Sequence, residues 1–462
     1  MTDQSASTAA SSAGSSSTEP PRPHPLLARV DWEAASREAA DLLSAYVRID
    51  SSHPRGRTVE TADFLEKILK REGLETRRYP TPEPDKVNMA SWLRAERPQG
   101  KAICLSSHMD VVQAVASDWT FDPFSGTVAD GYVYGRGALD MKGMGIMELM
   151  TVLLLKRLGV ELTRDVLLLH TSDEETGSTL GAKLLVEEHY ADLDPEFVLD
   201  EGGSGMVGFF SQGDVFAVSV GEKRIIWMKM IARGRPGHGS SPDPEDAMHR
   251  LVRAAGRILA QLPPEHEAGA VAEMIERLGG ERAREEIRSY RATRPLLRDT
   301  ISLTMLQGGY KINVIPERAE LSLDCRLLPD TDEHAFIDRL TEIVDDPAIT
   351  FDVGWPNVPP ATAPFDPASP FAAIELACRA HAPTSVVTPS LFVAGTDGRF
   401  FRQRGVPSYG LVPCLLTADD LKGYHGIDER LSVANLTLGT KIVLDLTARL
   451  ATTDSVAVSE SP

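Results

Sequence analysis

The sequence predicts an α/β fold in which a domain with a mostly parallel or mixed central sheet, flanked by helices, is interrupted by a smaller ferredoxin-like α+β domain. Three observations lead to this prediction. Helical and strand patterns alternate up to about residue 220, a β-α-β-β-α-β order follows from residue 225, and patterns of the first kind return after a proline-rich stretch. At 462 residues the chain is also too long for one ordinary core.

The elements of the first part are predicted from apolar periodicity. Helical spacing predicts helices at 31–49, 58–72 and 144–158, and strand-like runs lie at 87–93, 102–107, 165–170, 197–199 and 215–220. The run at 165–170 is almost continuously apolar, which is typical of a strand covered on both faces. Helices that alternate with such strands indicate a parallel or mixed sheet.

The second part of the chain follows a different order. Strands are predicted at 225–232, 300–307, 319–327 and 349–353, helices at 245–262 and 333–344, and a charged helical stretch at 271–290 lies outside this pattern. Six prolines in 352–370 predict a linker, and an apolar stripe on the last helix predicts a return to the first domain. We therefore predict disordered tails at 1–26 and 451–462, a main domain formed by 27–222 and 364–450, and an inserted domain at 223–354.

Charge and composition exclude several classes of partner. Lys and Arg number 48 against 67 Asp and Glu, a formal net charge of −19, which repels nucleic acid and anionic membrane surfaces. The four cysteines are far apart without a CxxC pair, and they favour a reducing compartment: Cys104, Cys325, Cys378 and Cys414. The first 26 residues lack the basic start and apolar stretch of a signal peptide, so we expect a cytoplasmic protein.

Two short motifs contain residues with metal-ligand chemistry. His108 ends a strand-like segment, and Asp110, two residues later, faces the same side and is a candidate to orient its imidazole. Asp140 lies between glycines in YGRGALDMKGMG, where its carboxylate has room to face a cavity. Each motif alone also has a structural interpretation, a hydrogen-bonded histidine at a strand end and a helix N-cap.

Acidic residues follow two further predicted strands. TSDEETGS places Asp173, Glu174 and Glu175 after the buried strand, and EFVLDEGG ends in Asp200 and Glu201. The crevice beyond the carboxyl ends of strands is the usual binding site in open α/β sheets, and a cluster of like charges there is costly unless a cation neutralises it. A solvated acidic turn is the alternative for either run alone.

A histidine far downstream completes a set of oxygen and nitrogen donors. His425 lies in a glycine-flanked loop, GYHGIDE, from which it can reach the same crevice. The predicted donors contain no thiolate and suit one or two Zn²⁺, Co²⁺ or Mn²⁺ ions: His108, Asp140, Glu175, Asp200 and His425. Glu174 is then a spare carboxylate, the group that metal-assisted hydrolysis needs as general base.

The order of motifs HMD, GRGALDMKG, SDEETGS, LDEGG, GRPGHGS, GTDGR and GYHGIDE closely resembles the co-catalytic zinc metallopeptidase and aminoacylase family. That family includes glutamate carboxypeptidase, carboxypeptidase S, aminoacylase-1 and succinyl-diaminopimelate desuccinylase. The resemblance covers about residues 31–450. It implies that the main domain is catalytic and that the insert serves as a lid or dimerisation domain.

The resemblance also implies roles for the site residues. His108 and Asp200 would bind one metal, Glu175 and His425 the other, and Asp140 would bridge both, with Glu174 as the base. The peptide bond after Asp140 would be cis. Asp200 departs from the Glu of several carboxypeptidase members, although aminoacylase-like and dipeptidase-like members have Asp there.

Substrate contacts are implied for His238, Asn313, Arg326, Gly395 and Thr396. A guanidinium suits a free substrate carboxylate, and an imidazole can stabilise an oxyanion. The structural alternatives are a salt bridge for Arg326 and a loop contact for His238.

The resemblance predicts metal-dependent hydrolysis of an amide bond in a small substrate with a free carboxylate, by a dipeptidase or carboxypeptidase. The alternative within enzymes is an N-acyl amino acid deacylase, and a third interpretation is a catalytically silent binding protein. Two divalent ions, most readily zinc, are expected as cofactors, with no nucleic acid or membrane partner. A homodimer through the insert is expected to deliver His238 to the partner's active site.

Overall fold

The computed structural model describes residues 20–354 and 361–453. Its helices are α1 Trp32–Val47, α2 Val59–Arg71, α3 Lys142–Arg157, α4 Ala182–Glu188, α5 Tyr190–Leu193, α6 Ala247–Ala260, α7 Gly269–Arg277, α8 Glu281–Ser289, α9 Glu333–Val344, α10 Pro370–His381, α11 Gly398–Gln403, α12 Ala418–Leu421 and α13 Val433–Ala451. Its strands are β1 Glu75–Pro80, β2 Val87–Leu93, β3 Ala102–His108, β4 Val128–Ala129, β5 Tyr132–Tyr134, β6 Val166–Thr171, β7 Pro195–Phe210, β8 Gly213–Glu222, β9 Arg224–Arg233, β10 Gly237–His238, β11 Thr300–Gly308, β12 Val314–Ile315, β13 Arg318–Leu327, β14 Ile349–Val353, β15 Val386–Phe392, β16 Ser408–Leu416 and β17 Arg430–Ser432.

A central eight-stranded sheet has the order β1-β2-β6-β3-β7-β16-β8-β15. Strands β6, β3, β7 and β16 are parallel neighbours, whereas β1 and β2 add antiparallel pairings at one edge. The sheet is therefore mixed, as expected from the sequence. Because β3 and β6 run in the same direction, their carboxyl ends meet at one edge, next to the part of β7 where its pairing with β3 ends.

Both faces of this sheet are covered. Alternate side chains of its buried strands therefore enter two different apolar cores. On β6, Leu168 belongs to the larger apolar core, whereas Leu167 and Leu169 belong to the smaller core on the other face. Helix α3 is buried along nearly its whole length and packs against β3, α1 and α13. The apolar run of β6 is continuous, and α3 is apolar on nearly all sides, because both elements are buried on all sides.

A second, four-stranded antiparallel sheet has the order β11-β13-β9-β14. Helices α6 and α9 pack on it around a separate apolar core that includes Met230, Leu251 and Leu340. The β-α-β-β-α-β order of this unit matches the ferredoxin-like pattern. The predicted fold class, an α/β domain interrupted by an α+β unit, is confirmed.

The predicted charged helical stretch at 271–290 lies between strands of the inserted domain in sequence, but it packs against the main sheet. Helices α7 and α8 contribute Val271, Met274 and Ile287 to the core of the main sheet, and α7 packs against β15. This segment of the insert sequence therefore belongs physically to the main unit. The domain bounds themselves stay a prediction.

The predicted tails fall mostly outside the described residues, as does part of the predicted linker. The structure corrects the end of the first tail, because His24, Leu26 and Leu27 are buried. The backbone N–H of His24 donates to Asp445 Oδ2 on α13 at 3.0 Å, so the chain is ordered before residue 27.

The four cysteines are buried and unpaired, as their spacing predicts. Among the helices of the described ranges, none has both the length and the apolar character that crossing a membrane requires.

Candidate metal centre

Acidic and imidazole side chains gather at the carboxyl ends of β3 and β6 and on the adjacent middle part of β7. His108 is the last residue of β3, Glu174 and Glu175 form the turn after β6, and Glu201 lies on β7. Asp140 precedes α3, and His425 comes from the loop before β17. The predicted meeting of these segments in one crevice is what the structure shows.

Two groups of side chains in this crevice have the composition and spacing to hold a metal ion. One comprises His108, Asp140 and Glu201, and the other comprises Asp140, Glu175 and His425, with the donor atoms of each group within 4.8 Å of one another. Asp140 belongs to both. Its Oδ1 lies 3.2 Å from His108 Nε2, and its Oδ2 lies 3.2 Å from His425 Nε2.

The remaining donors complete the two groups. Glu201 Oε1 lies 3.6 Å from His108 Nε2, and Glu175 Oε2 lies 3.1 Å from His425 Nε2. Each oxygen of Asp140 therefore faces one imidazole, and each imidazole also faces a second carboxylate. This arrangement is the one that a bridging aspartate between two cations requires.

The structure corrects the prediction of Asp200. Successive side chains of a strand point to opposite faces, so Asp200 and Glu201 cannot both face the crevice. Asp200 Oδ2 instead accepts a hydrogen bond from the backbone N–H of Gly398 at 2.7 Å. Burial, with Asp397 adding to the effect, raises the pKa of Asp200 to about 7. Glu201 is the acid that lies beside His108.

The role of Asp110 also differs from the expectation. His108 Nδ1 hydrogen-bonds the backbone carbonyl of Asp110 at 2.9 Å, while the Asp110 carboxylate lies 3.8 Å away. That carboxylate accepts the backbone N–H groups of Glu174 at 3.2 Å and Glu175 at 3.1 Å. Asp110 thus orients His108 through its main chain and holds the acidic turn through its side chain.

Two positioning residues were missed by the analysis of the sequence. His53 Nε2 lies 2.8 Å from Asp110 Oδ2, and the bond between His53 and Pro54 is cis. Glu429 accepts the backbone N–H groups of Leu139 at 2.7 Å and Asp140 at 2.9 Å. Glu429 lies in the same motif as His425, which was the available signal, whereas no motif pointed to His53.

Glu429 is the anchor of the loop that presents Asp140. It also pairs with Arg136 at 2.6 Å and accepts the N–H of Gly137 at 2.9 Å. The fully buried carboxylate therefore holds the glycine-rich turn at four of the five residues from 136 to 140. The peptide bond between Asp140 and Met141 is cis, which confirms that expectation.

The electrostatics of the crevice show an excess of negative charge. Burial, reinforced by Asp140, raises the pKa of Glu201 to about 8. Burial also raises the pKa of Glu174 well above its ordinary value, and Glu201 adds to the rise. Hydrogen bonds to Asp140 and Glu175 raise the pKa of His425 to about 10. Several carboxylates share one poorly solvated space, which a cation would neutralise.

The donor set fits divalent ions. Glu175 Oε1 is buried without a hydrogen-bond partner among the described residues, so an acceptor of the second group is left unsatisfied. Unsatisfied buried carboxylate oxygens are costly, and metal coordination removes that cost. Imidazole nitrogens with carboxylate oxygens suit zinc and its borderline neighbours.

The predicted substrate contacts lie apart from these groups. His238 is exposed on β10, where its Nδ1 pairs with Ser240 Oγ at 2.8 Å, and Asn313 O accepts the N–H of Gly239 at 2.8 Å. Arg326 binds Asp324 with Nε at 2.6 Å and Nη2 at 3.0 Å. None of these three residues belongs to either donor group of the described residues.

The GTDGR loop is partly buried rather than open to substrate. The Thr396 hydroxyl donates to Glu222 Oε1 at 2.6 Å, and its N–H donates to Glu222 Oε2 at 3.0 Å. A Cβ at Gly395 would lie close to the mobile end of the Arg399 side chain, so packing alone does not require glycine there. Thr396 is held by its hydrogen bonds to Glu222, and any contact of its hydroxyl with substrate needs these bonds to open.

Comparison with known proteins identifies the family of the chain. The family model described as Peptidase family M20/M25/M40 matches residues 104–449. Aminoacylase-1B of Rattus norvegicus is 30% identical over 419 residues, which cover 89% of this chain and 94% of the rat protein.

Solved structures show the same fold. A M20 family metallo-carboxypeptidase, Sso-CP2 from Sulfolobus solfataricus, aligns with a TM-score of 0.69 at 17% identity, covering 88% of this chain and 98% of its own. Human carnosine dipeptidase 1 aligns with a TM-score of 0.66 at 20% identity, covering 92% and 98%.

These matches confirm the resemblance inferred from the motifs and the expected class of enzyme, a metallohydrolase that acts on amide bonds. The chain belongs to peptidase family M20/M25/M40.

Proposed function

We propose that the protein hydrolyses an amide bond in a small substrate with a free carboxylate, as a dipeptidase or carboxypeptidase. The observation that carries the proposal is the Asp140 carboxylate, whose two oxygens each face an imidazole at 3.2 Å. A bridging carboxylate between two nitrogen–oxygen groups is built to hold two cations close together. Two-cation sites of this kind serve hydrolysis.

Five residues would hold the ions. His108 and Glu201 would bind one, Glu175 and His425 the other, and Asp140 both. Zinc suits this set best, and cobalt or manganese would also fit. When bound, such ions acidify a water molecule and polarise the substrate carbonyl.

Glu174 would be the general base. Its backbone is held by Asp110, and its side chain belongs to neither donor group. The carboxylate would take the proton of the attacking water and then pass it to the leaving amine nitrogen. Burial raises the pKa of the Glu174 carboxyl above its ordinary value, which favours its accepting a proton before it passes that proton on.

A second subunit would complete the site. His238 lies on an exposed two-stranded ribbon formed by β10 and β12, and strand β11 is an edge of the four-stranded sheet. Met305 and Leu306 are exposed on that edge. Exposed apolar edge strands are templates for pairing, so a homodimer through this sheet would bring His238 to the partner's crevice.

In such a dimer, Arg326 would bind the substrate carboxylate with the Nη1 side of its guanidinium, since Nε and Nη2 are directed to Asp324. Asn313 would act beside His238, because Gly239 and Asn313 are joined by a backbone hydrogen bond. Gly395 and Thr396 would contact the substrate only after the hydrogen bonds between Thr396 and Glu222 open.

The second candidate function is removal of an acyl group from an N-acyl amino acid. The similarity to rat aminoacylase-1B over 89% of this chain favours it. Both reactions cleave an amide beside a free carboxylate, so the same residues serve either. A catalytically silent binding protein is disfavoured, because the five proposed ligands and Glu174 are all present.

We infer a cytoplasmic location. Four buried cysteines without a disulfide are typical of proteins in a reducing compartment.

To test the proposal, zinc-loaded protein is incubated with dipeptides and with N-acyl amino acids, and the products are identified by mass spectrometry. Release of the C-terminal amino acid or of the free acid supports the proposal. The matched control is Glu174→Gln, which must bind metal but release no product. No hydrolysis by the metal-loaded dimer of any substrate in either series would overturn the proposed function.

A further inference from the structure

A cavity of about 420 Å³ adjoins the metal centre. Asp140, Glu201 and His425 form one side of it, so a substrate held at the metal centre must send part of its structure into this space. The volume lies within the range of small-molecule sites, about 300–1,000 Å³. A cavity of this volume can hold a substituent much larger than a methyl group.

The walls of the cavity away from the metal centre are mostly apolar and include Met206, Met274, Leu296, Leu391, Phe392 and Leu421. The uncharged polar residues of the lining are Ser204, Thr293, Ser390 and Tyr424. Among the described residues that line the cavity, the charged or titratable ones of Asp, Glu, Lys, Arg and His type are only the three that belong to the metal groups. A charged substituent in this space would lose its hydration without gaining a side chain of opposite charge outside the metal groups.

The outer wall comes from the charged helical stretch predicted to lie outside the ferredoxin-like pattern and from the turn that follows it. Met274 on α7 and Leu296 in the 3-10 turn Arg294–Leu297 are both buried. The Lys223 ammonium donates to the carbonyls of Pro295 at 2.9 Å and Arg298 at 2.6 Å, which ties the turn to the end of the main sheet. The wall is therefore preformed.

We propose that this cavity binds a neutral, extended apolar group of the substrate and so decides which amides the enzyme cleaves. The inference rests on the proposed function and adds the substrate class: an amide with a free carboxylate and one bulky apolar substituent. That substituent is either the acyl chain or the side chain of the amino acid, because both place the same chemistry in the cavity.

The size of the preference follows from apolar burial. About 0.8 kcal/mol per buried methylene corresponds to about a fourfold rise in kcat/KM for each methylene that the cavity accepts. The rise stops when the cavity is full. A terminal carboxylate or ammonium on the same chain should abolish the gain.

The experiment measures kcat/KM of the zinc-loaded enzyme in two substrate series. One series is N-acetyl-, N-butanoyl-, N-hexanoyl- and N-octanoyl-glycine, and the other is N-acetyl-alanine, -norvaline, -norleucine and -2-aminooctanoate. The series with the rising kcat/KM shows which substituent enters the cavity. N-succinyl-glycine and N-acetyl-lysine provide the charged comparisons.

A variant at the mouth of the cavity links any preference to this space. Ala292 is exposed in a turn and lines the cavity, so Ala292→Phe narrows it with little demand on the core. The ratio of kcat/KM for the longest over the shortest substrate should fall about tenfold or more. Ala272→Phe, an exposed position of α7 that does not line the cavity, should leave the ratio unchanged.

A binding measurement separates this inference from the proposed function. Calorimetry with Glu174→Gln should show tighter binding of the longer substrates, again weakened by Ala292→Phe. Flat or falling kcat/KM in both series, or an equal response of the two Phe variants, would overturn the inference while hydrolysis itself still supports the proposed function. Failure to cleave any member would instead count against the proposed function.

Discussion

Asp200 and Glu201 are neighbours on one strand, yet their carboxylates serve opposite faces of it. Glu201 Oε1 lies 3.6 Å from His108 Nε2, whereas Asp200 Oδ2 accepts the backbone N–H of Gly398 at 2.7 Å. Glu201 thus belongs to a group of side chains that could hold a metal ion. Asp200 instead binds the first residue of α11 on the opposite face of the strand.

This relationship gives a first prediction. Glu201→Gln should lower the divalent metal content from two ions per chain toward one, because an amide is a weaker ligand than a carboxylate. Asp200→Asn keeps an acceptor oxygen for Gly398 and should leave the metal content unchanged. Elemental analysis of both purified variants decides it. Metal loss in Asp200→Asn alone would reverse the assignment.

A second prediction separates the base from its neighbour. Glu174→Gln should abolish most turnover with metal content intact, because the amide keeps the shape but cannot take a proton. Glu175→Gln should instead reduce metal occupancy, since its carboxylate faces His425 at 3.1 Å. Rates and metal content are measured on the same samples. The opposite pattern would exchange the two roles.

Removal of the metal should cost both activity and stability. A ligand at about 100 times its Kd stabilises the folded state by about 2.7 kcal/mol, so a chelator should lower Tm by several degrees. The buried carboxylates of the crevice then lose their neutralising charge. Calorimetry before and after dialysis against chelator, with zinc added back, measures the effect. An active enzyme that is indifferent to chelation would contradict the metal mechanism.

The dimer prediction concerns His238. Loss of an oxyanion donor typically costs about 10²- to 10³-fold in rate, so His238→Ala should be nearly inactive while still binding metal. When it is mixed with Glu174→Gln under subunit exchange, one site of each mixed dimer has wild-type Glu174 and wild-type His238 from different chains. Activity should return to up to half of the wild-type value per mixed dimer.

Light scattering and a labelled subunit verify that exchange occurs in this experiment. No recovery despite exchange, or a fully active monomer, would show that His238 does not act across the interface.

A prediction on pH comes from Glu148, a buried acid on α3. Burial raises its pKa well above the ordinary value. Above the unfolded pKa of about 4.3 the unfolded chain ionises while the folded chain does not. The contribution of Glu148 to stability is therefore fully present below that pH and is lost as pH rises toward the folded pKa.

Glu148→Gln has no carboxyl at this position, so the loss of folding stability with rising pH that Glu148 causes should be absent. The variant should gain stability relative to wild type by up to about 1.4 kcal/mol per pH unit across that window. Urea unfolding at several pH values between about 5 and 8 measures it. Glu161→Gln, at an exposed position just beyond the same helix, is the control and should show no trend. A constant difference between Glu148→Gln and wild type would disprove the assigned titration.

The sequence by itself determined the layout of the molecule, because apolar periodicity is a local property. The continuous run of β6, the helices flanking it and the β-α-β-β-α-β order after residue 224 were all visible in the chain. His108, Asp140 and His425 were also identifiable from their motifs, and Glu175 was one of three adjacent acids in TSDEETGS. The structure brings these four side chains together.

Only the tertiary structure decided between adjacent candidates and supplied distant partners. The choice of Glu201 over Asp200 depends on which face of β7 meets the crevice, and the sequence of two neighbouring acids does not contain that information. His53 lies 57 residues from Asp110, and Glu429 lies 289 residues from Asp140, so no local pattern could pair them. The apolar cavity likewise exists because α7 and the turn at residues 294–297 pack onto the main sheet rather than the second one. Such choices arise from long-range packing, in which side chains far apart in sequence compete for one buried space.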